Sequence, residues 1–219
     1  MISLPNGALV SIAATYGVAK AMSAISNASP GVATLVTGHG VVAGDFMDVT
    51  SGWSRLADKI IRAGFLGSPP GNDVPLVGID TSLTSIYPIA GGVGSVRKVL
   101  TWVQLSQILT STSSGGDQQF HDYQLLESDS MKRIPTGKNA AGLDFEIADD
   151  PSLPGYMLAS AANDDRLPRA VKIVLPSGAE ILYNAFISMN KTPSLTVNKI
   201  MVVTVTLSLL AEVVRYVAP

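Results

Sequence analysis

The chain has 219 residues, of which 47% are hydrophobic and only 15% are charged. This balance excludes an intrinsically disordered chain, and the length suffices for one large β domain or two small ones. The formal net charge of −2 comes from charges spread along the sequence, which excludes the concentrated basic footprint of a tight nucleic-acid binder. Cysteine is absent, so disulfides and thiolate metal sites are excluded as well.

The mean hydropathy is positive, at +0.33. So few charges are too few to cover the surface of a lone monomer, and we expect part of that surface to be buried against other subunits. The first residues, 1–7, lack the basic and apolar regions of a signal peptide, so we expect the protein to stay in the cytosol where it is made. Pro5 and the Asn6-Gly7 turn predict that residues 1–7 are an extended N-terminal segment.

The first half of the chain predicts short strands separated by turns. These strands are expected at residues 8–13, 18–26, 32–37, 45–50, 59–65, 74–80 and 95–106. A helix is an alternative for residues 18–26 because of their alanines. Residues 67–73 form a loop rich in proline and glycine, which is either a plain surface connection or a contact with a neighbouring subunit.

A glycine-rich turn contains a formal G-x-G-x-x-A match at Gly38, Gly40 and Ala43. A dinucleotide-binding fingerprint needs a helix to open there, so that backbone N–H groups can hold a pyrophosphate. The residues that follow, 45–50, instead alternate as in a strand. We therefore predict a hairpin that joins this strand to residues 32–37, and no cofactor site.

The second half predicts further strands and one helix. The strands are expected at residues 119–126, 132–135, 142–148, 170–175 and 180–189, the last two forming a hairpin. Residues 111–117 (STSSGGD) are predicted to be a flexible loop. The helix follows Asp149-Asp150, which we expect to cap it, becomes regular at Gly155 or Tyr156, and ends near Asn163.

Residues 197–211 predict a long strand, the last regular segment of the chain. One column of its alternating residues is an unbroken apolar stripe that includes Val203, Val205 and Leu207, while the other column is part apolar and part hydroxyl. The stretch is too short to cross a bilayer as a helix, which needs roughly 20 residues. A strand this long needs a sizeable sheet to pair with.

The chain offers no set of residues with the spacing of a catalytic or metal site. His39 and His121 lack the H-x-x-x-H or H-x-H partner that a zinc site uses, and we expect them at a surface or interface. The acidic pairs at 149–150 and 164–165 consist of adjacent residues, whose side chains diverge. No G-x-S-x-G elbow occurs. We predict no enzyme activity and no catalytic, cofactor-binding or metal-binding residues.

Three blocks of the sequence resemble the major tail tube proteins of long-tailed (siphophage-type) bacteriophages. In chain order they are residues 37–45 with 50–56, residues 142–150 with 154–156, and residues 175–178 with 183–185 and 192–198. None of the blocks is a catalytic motif, and the resemblance rests on their order across most of the chain.

The resemblance implies a mainly β protein, with a β-sandwich or barrel-like tail-tube fold and one flanking α-helix, as a single domain over residues 1–219. It implies a structural virion protein whose hexameric rings stack into the tail tube, so that the sheets of neighbours form a composite barrel. The implied partners are copies of itself, a tape-measure protein, tail terminator and distal tail proteins, and DNA that passes transiently during ejection. It implies assembly in the host bacterial cytoplasm and no insertion of the subunit into a membrane.

The resemblance and the loop chemistry together predict two sets of assembly residues. Contacts between rings are assigned to Met1, Ile2, Leu4, Gly67, Ser68, Pro69, Pro70 and Asp73. Continuation of the sheet into the next subunit is assigned to Val203, Val205 and Leu207.

Two other classes of protein stay open on the sequence. One is a β-sandwich hydrolase or carbohydrate-binding module that uses His121 with nearby acids, although aromatic residues, at 6%, are scarce for sugar binding. The other is a capsid decoration or head–tail connector protein.

Overall fold

The computed structural model describes residues 6–65 and 71–218. Within them it has fifteen β-strands and one α-helix. In chain order they are β1 (Leu9–Tyr16), β2 (Lys20–Ile25), β3 (Val32–Leu35), β4 (Phe46–Ser51), β5 (Lys59–Arg62), β6 (Asp73–Pro75), β7 (Gly94–Leu105), β8 (Ile108–Gly115), β9 (Gln118–Tyr123), β10 (Lys132–Lys138), β11 (Ala141–Ala148), α1 (Pro154–Asp165), β12 (Arg169–Val174), β13 (Glu180–Met189), β14 (Val202–Leu209) and β15 (Val214–Tyr216). The predicted mainly β fold with one helix is confirmed.

Thirteen of these strands form one antiparallel sheet, and the other two form a separate hairpin. The order along the sheet is β6-β3-β2-β7-β1-β12-β13-β14-β11-β8, with β4 and β5 attached to β7 and with β15 attached to β13. β9 and β10 pair only with each other among the described strands. The long strand β7 joins the two halves, because its first residues pair with β2 and β4 and its last residues pair with β1.

Buried side chains gather in three clusters along this sheet. An N-terminal core lies among β2–β7 around Met47, Trp53 and Leu76, all at most 2% exposed. A C-terminal core joins β1, β11–β14 and the helix around Phe145 and Val205. A smaller cluster lies between them. The alternation of apolar residues along β11, β13 and β14 explains the C-terminal core, because every second side chain points to the same face.

The helix α1 closes the C-terminal core by packing on β13, β7 and β1. Gly155 in its first turn lies so close to β7 that an added Cβ would be 2.3 Å from the carbonyl oxygen of Gln104. The helix therefore begins at Pro154 although Pro-Gly is a poor start, since Pro is tolerated in the first turn and glycine allows the approach. No helix of the described residues has the length and apolarity to cross a membrane.

The predicted cap of this helix is wrong. The N-cap is Leu153 and it makes no side-chain capping hydrogen bond. Asp150 instead accepts hydrogen bonds from the backbone and side chain of Ser152, and Asp149 accepts one from the Tyr156 hydroxyl at 2.9 Å. Both carboxylates are used by side chains around the turn before the helix, so neither is turned toward the free N–H groups of its first turn.

Several strand predictions are confirmed and others are corrected. Residues 20–25 are a strand, so the helical alternative is wrong, and β12 and β13 form the predicted hairpin. β3 and β4 do not form one: β3 pairs with β2 and β6, whereas β4 pairs with β5 and β7. The predicted flexible loop at 111–117 lies largely in β8, and the predicted strand at 197–211 is regular only over β14 and is followed by β15.

Candidate assembly surfaces

The strand β8 forms an open edge of the large sheet. Its register with β11 runs from Gly115 opposite Ala141 to Ile108 opposite Ile147, and it has no partner on its other side among the described strands. Every residue after Ile108 in this strand is exposed. Unpaired N–H and C=O groups along a strand edge are a template for pairing with another chain, so this edge can accept a further strand.

The outer face of the strands β13, β14, β11 and β8 is polar. We call it the polar face; its members are Thr110, Thr112, Ser114, Asp144, Glu146, Phe186, Ser188, Thr204, Thr206 and Ser208. They share one face because their register partners lie directly opposite each other across the ladder, as in the row Ser188–Thr206–Asp144–Thr112. None of the ten is basic.

Hydroxyl groups hold the two carboxylates of the polar face. The Thr206 hydroxyl donates to Asp144 at 2.5 Å, and the Thr110 hydroxyl donates to Glu146 at 3.0 Å. Both hydrogen bonds cross between neighbouring strands, so they support the ladder. The opposite side of the same four strands carries the C-terminal core. These strands are therefore apolar on one side and carry hydroxyl and carboxylate side chains on the other.

The hairpin β9–β10, which we call the arm, projects from this end of the sheet. The turn into it uses Gly115 and Gly116, both at positive φ, which glycine adopts at little cost. Large apolar side chains are exposed along its length. They are Phe120 at 51%, Leu125 at 41%, Leu126 at 104%, Met131 at 67% and Ile134 at 50%. An isolated two-stranded hairpin is marginally stable in water, and these exposed side chains make the arm a candidate contact surface.

Ion pairs stiffen the arm and fasten its base. Arg133 donates to both carboxylate oxygens of Asp122, at 2.6 and 3.0 Å, and this fork lowers the pKa of Asp122. At the base, Lys138 pairs with Glu212, which lies between β14 and β15, and this hydrogen bond lowers the pKa of Glu212. Exposed pairs of this kind add little stability, so they set the direction of the arm more than they hold it.

Two further surface features lie at opposite ends of β14. The loop of residues 190–201, between β13 and β14, exposes several large apolar side chains. At the other end, between the base of the arm and the β14–β15 connection, lies a pocket of about 600 Å³.

The predicted sheet-continuation residues lie in the interior of the subunit. Val203, Val205 and Leu207 are each at most 1% exposed in the C-terminal core, and β14 is paired on both sides, with β11 and β13. β14 therefore has no free edge among the described strands of the subunit, whereas β8 has one. Sequence reasoning missed β8 because its serines and glycines are typical of a loop; the signal that it gave was the β-branched run at Ile108 and Thr110.

Of the predicted ring-to-ring residues, the structure places only Asp73. It is exposed at the start of β6 and accepts a hydrogen bond from the Thr34 hydroxyl at 2.7 Å. The others lie outside the described residues; they are Met1, Ile2, Leu4, Gly67, Ser68, Pro69 and Pro70.

The interior holds one carboxylate that links the two halves of the molecule. Asp48 on β4 is 6% exposed, accepts a hydrogen bond from its register partner Arg97 at 2.5 Å, and accepts another from the Asn184 amide of β13 at 3.2 Å. Burial raises the pKa of Asp48, because desolvation outweighs the attraction of Arg97. Through these partners Asp48 links β4 to β7 and to β13.

The histidines do not come together. His121 is exposed on the arm, while His39 accepts a hydrogen bond from the Val41 N–H at 3.0 Å and lies 3.3 Å from the Gly71 carbonyl oxygen. Over residues 6–65 and 71–218, no group of three or more His, Cys, Asp or Glu side chains is arranged to hold a metal ion.

The structure therefore has a large sheet with one helix, a polar edge strand that is paired on one side only among the described strands, and a hairpin with exposed apolar side chains. A profile of the family "Phage tail tube protein, TTP" matches residues 51–218, which include β5–β15 and α1. The chain therefore belongs to the phage tail tube protein family. No curated protein sequence matches it.

Solved structures give a partial likeness. One is the cap that terminates the tube of the anti-feeding prophage, at 19% identity and a TM-score of 0.38, covering 52% of this chain and 83% of that one. Another is the sheath–tube complex of the PVC extracellular contractile injection system in its extended state, at 16% identity and a TM-score of 0.36, covering 49% and 80%. TM-scores this low support no further inference.

Proposed function

We propose that this protein is a structural subunit of a phage tail, without enzyme activity, whose copies close into hexameric rings that stack into a tube and conduct DNA. Membership of the tail tube family over residues 51–218 carries the proposal. The open edge of β8 supports it, because a subunit that forms a tube must offer a surface on which its own copies can continue.

In this proposal, β8 of one subunit pairs with a strand edge of its neighbour. A contact between two different surfaces of the subunit is head-to-tail. It closes a ring when the rotation that relates neighbouring subunits is a whole fraction of a full turn. Closure removes every exposed edge of this kind, which would otherwise invite uncontrolled aggregation. The four strands β13, β14, β11 and β8 of each subunit then contribute to one composite barrel.

The polar face lines the lumen of this barrel. Its hydroxyls tolerate water, and its only charged side chains are Asp144 and Glu146. Proteins hold DNA mainly by neutralising phosphates with Lys and Arg, and the absence of both from this face lets DNA slide without sticking. The C-terminal core then faces outward, toward α1.

The arm packs on another subunit of the tube. Its large exposed apolar side chains gain nothing in an isolated subunit, and burying them against a neighbour removes apolar area from water. Residues 1–6 and 67–73 remain our proposal for contacts between rings. A tape-measure protein inside the tube, terminator and distal tail proteins at its ends, and assembly in the host cytoplasm complete the proposal.

Negative-stain electron microscopy of the purified protein tests this function. We expect rings of uniform diameter with six-fold averages, or stacks of such rings. A protein that stays monomeric and featureless across concentrations would contradict the proposal.

A pair of matched variants tests the arm in the same assay. Leu126→Asp places a charge at the most exposed apolar residue of the arm, and Val18→Asp places one at a residue that is 82% exposed outside it. Both variants should keep the thermal unfolding midpoint of the wild type. Only Leu126→Asp should lose rings, and rings that survive it unchanged would remove the arm from the proposal.

A further inference from the structure

The loop of residues 190–201 presents an apolar surface at one end of β14. The exposed fractions are 80% for Leu195, 86% for Val197, 64% for Ile200 and 46% for Met201. Single exposed apolar residues are ordinary, whereas four within seven positions of one loop form a contiguous candidate for contact with another protein.

Backbone hydrogen bonds hold this loop in a fixed shape. The Asn190 N–H donates to the Thr204 carbonyl at 3.1 Å, and the Ser194 N–H donates to the Val202 carbonyl at 3.0 Å, so the loop folds back on the first residues of β14. The Asp149 N–H donates to the Met201 carbonyl at 2.9 Å and ties the loop to the end of β11. A loop held at both ends loses little conformational entropy when it binds.

The pocket at the other end of β14 has a largely apolar lining. Its walls come from the base of the arm, from β13 and from the β14–β15 connection. They include Ala140, Tyr183, Leu210, Ala211 and Val213, together with Glu212 and Lys138. Leu210 and Val213 are 38% and 44% exposed although they line a concave surface. Concave apolar surfaces with a few polar groups at their edge are typical binding sites.

The loop and the pocket lie at opposite ends of β14. The loop joins β14 at Val202, and the pocket begins at Leu209, which is seven residues further along the same strand. At about 3.3 Å per residue the two lie on the order of 20 Å apart, so one subunit cannot fill its own pocket with its own loop. The pocket also adjoins Gly116, next to the end of the open strand β8.

We propose that the 190–201 loop of one subunit inserts into this pocket of a second copy in the adjoining ring. The inference rests on the proposed function, and it adds a second pair of surfaces to the ring contacts proposed for residues 1–6 and 67–73. An apolar projection that fits a pocket elsewhere on the same molecule makes a head-to-tail contact that does not close, and such contacts extend into fibres. A tube that grows by stacking requires this kind of contact along its axis.

The contact is apolar and not ionic. Glu212 in the pocket is already paired with Lys138, and the nearby charges of Lys59 and Arg55 help to lower its pKa. No carboxylate is therefore left over for Lys199 of the loop, and burial of the exposed apolar side chains of the loop carries the contact.

The absence of native cysteine makes the contact directly testable. We would introduce Val197→Cys in the loop together with Val213→Cys in the pocket and oxidise the assembled tubes. A disulfide needs Cα atoms within roughly 7 Å, so the two cysteines of one subunit cannot bridge and only copies can be linked. Because each subunit carries both cysteines, we expect a ladder of dimers, trimers and larger species on a non-reducing gel.

Matched controls separate this contact from random collisions. The single variants Val197→Cys and Val213→Cys should remain monomeric on the gel, and so should Val197→Cys combined with Val18→Cys, which is exposed but lies outside the pocket. A dimer from Val197→Cys alone would show loops meeting loops and would overturn the proposal. A short bis-maleimide linker repeats the test where disulfide geometry is too strict.

The outcomes distinguish this inference from the function on which it rests. Tubes that form but give no ladder with either reagent overturn the loop–pocket contact and leave the tail-tube function standing. A wild-type protein that forms neither rings nor tubes contradicts both.

A charge variant gives an independent check. Val197→Asp should shorten tubes roughly tenfold or more, down to single rings, because the new carboxylate would be buried without a partner. Val18→Asp should leave tube length unchanged. Full-length tubes from a folded Val197→Asp protein would overturn the proposal.

Discussion

The strands β14 and β8 lie in the same part of the sheet, formed by β13, β14, β11 and β8, but they differ in burial and in pairing. β14 alternates Val203, Val205 and Leu207 toward the core and is paired on both sides. β8 is exposed along almost its whole length and is paired on one side only. The difference teaches that hydrophobic alternation marks the strands that hold a subunit together, whereas the strand that can join subunits is polar and lacks that mark.

The largest expected effect is on the β14 side of this comparison. Leu207→Ala should lower the free energy of unfolding by about 2–5 kcal/mol, because it removes a fully buried side chain and leaves a cavity. Urea unfolding of the purified protein measures the loss. The matched variant Leu195→Ala, at a residue 80% exposed, should change the free energy by less than about 0.5 kcal/mol. If both variants lost the same free energy of unfolding, the buried side chain of Leu207 would contribute no more to stability than the exposed side chain of Leu195.

Proline substitutions at two neighbouring residues of β8 test its two edges one at a time. Successive N–H groups of a strand point to opposite sides, so of Thr112 and Ser113 one donates toward β11 and the other toward the open edge. The proline that faces β11 should cost about 1–3 kcal/mol of stability, because it removes a ladder hydrogen bond. The proline at the position that faces the open edge should keep the thermal unfolding midpoint of the wild type and abolish rings in electron micrographs. If this variant still forms rings, the open edge of β8 is not used in assembly.

Asp48 extends the comparison to carboxylates, since it is buried whereas those of the polar face are in contact with solvent. Its pKa in the folded protein is raised by burial, so the native state binds more protons than the unfolded chain between the two pKa values. This contribution to stability is present below the ordinary pKa of an aspartate and is lost as pH rises through the folded value. The free energy of unfolding of the wild type relative to Asp48→Asn should therefore increase as pH falls toward 4.

The difference between the two proteins isolates this group. Exposed carboxylates with lowered pKa values, such as Asp164 beside Lys191 and Asp122 beside Arg133, lose stabilisation as pH falls, but they are present in both proteins and cancel. A difference that stays flat with pH would show that Arg97 compensates fully for the burial of Asp48.

The smallest effect on stability is expected on the polar face. The double variant Asp144→Lys/Glu146→Lys should change the free energy of unfolding by less than about 1 kcal/mol, since both side chains are in contact with solvent. Its tubes should retain short DNA duplexes in a sedimentation assay, and this retention should weaken as salt rises. The neutral control Asp144→Asn/Glu146→Gln should retain none. A lysine variant whose tubes bind no DNA would place the polar face away from the lumen.

The sequence by itself determined most of the regular elements. Alternation of β-branched and polar residues located thirteen of the fifteen strands to within a few residues, and the turn at residues 176–178 correctly predicted the β12–β13 hairpin. These signals are local, because side chains on a strand reveal their burial at a period of two. The family resemblance also came from the sequence, and the profile match over residues 51–218 bears it out.

The tertiary structure alone decided which strands became neighbours and which edges stayed open. β3 and β4 are consecutive yet pair elsewhere, and β8 is a strand only because β11, beginning at Ala141, lies beside it. Hydrogen bonds across a sheet connect residues far apart in the chain, so nothing local in a serine- and glycine-rich segment can show that a partner will be there. For the same reason the loop and pocket at the two ends of β14 could be seen only in the folded subunit.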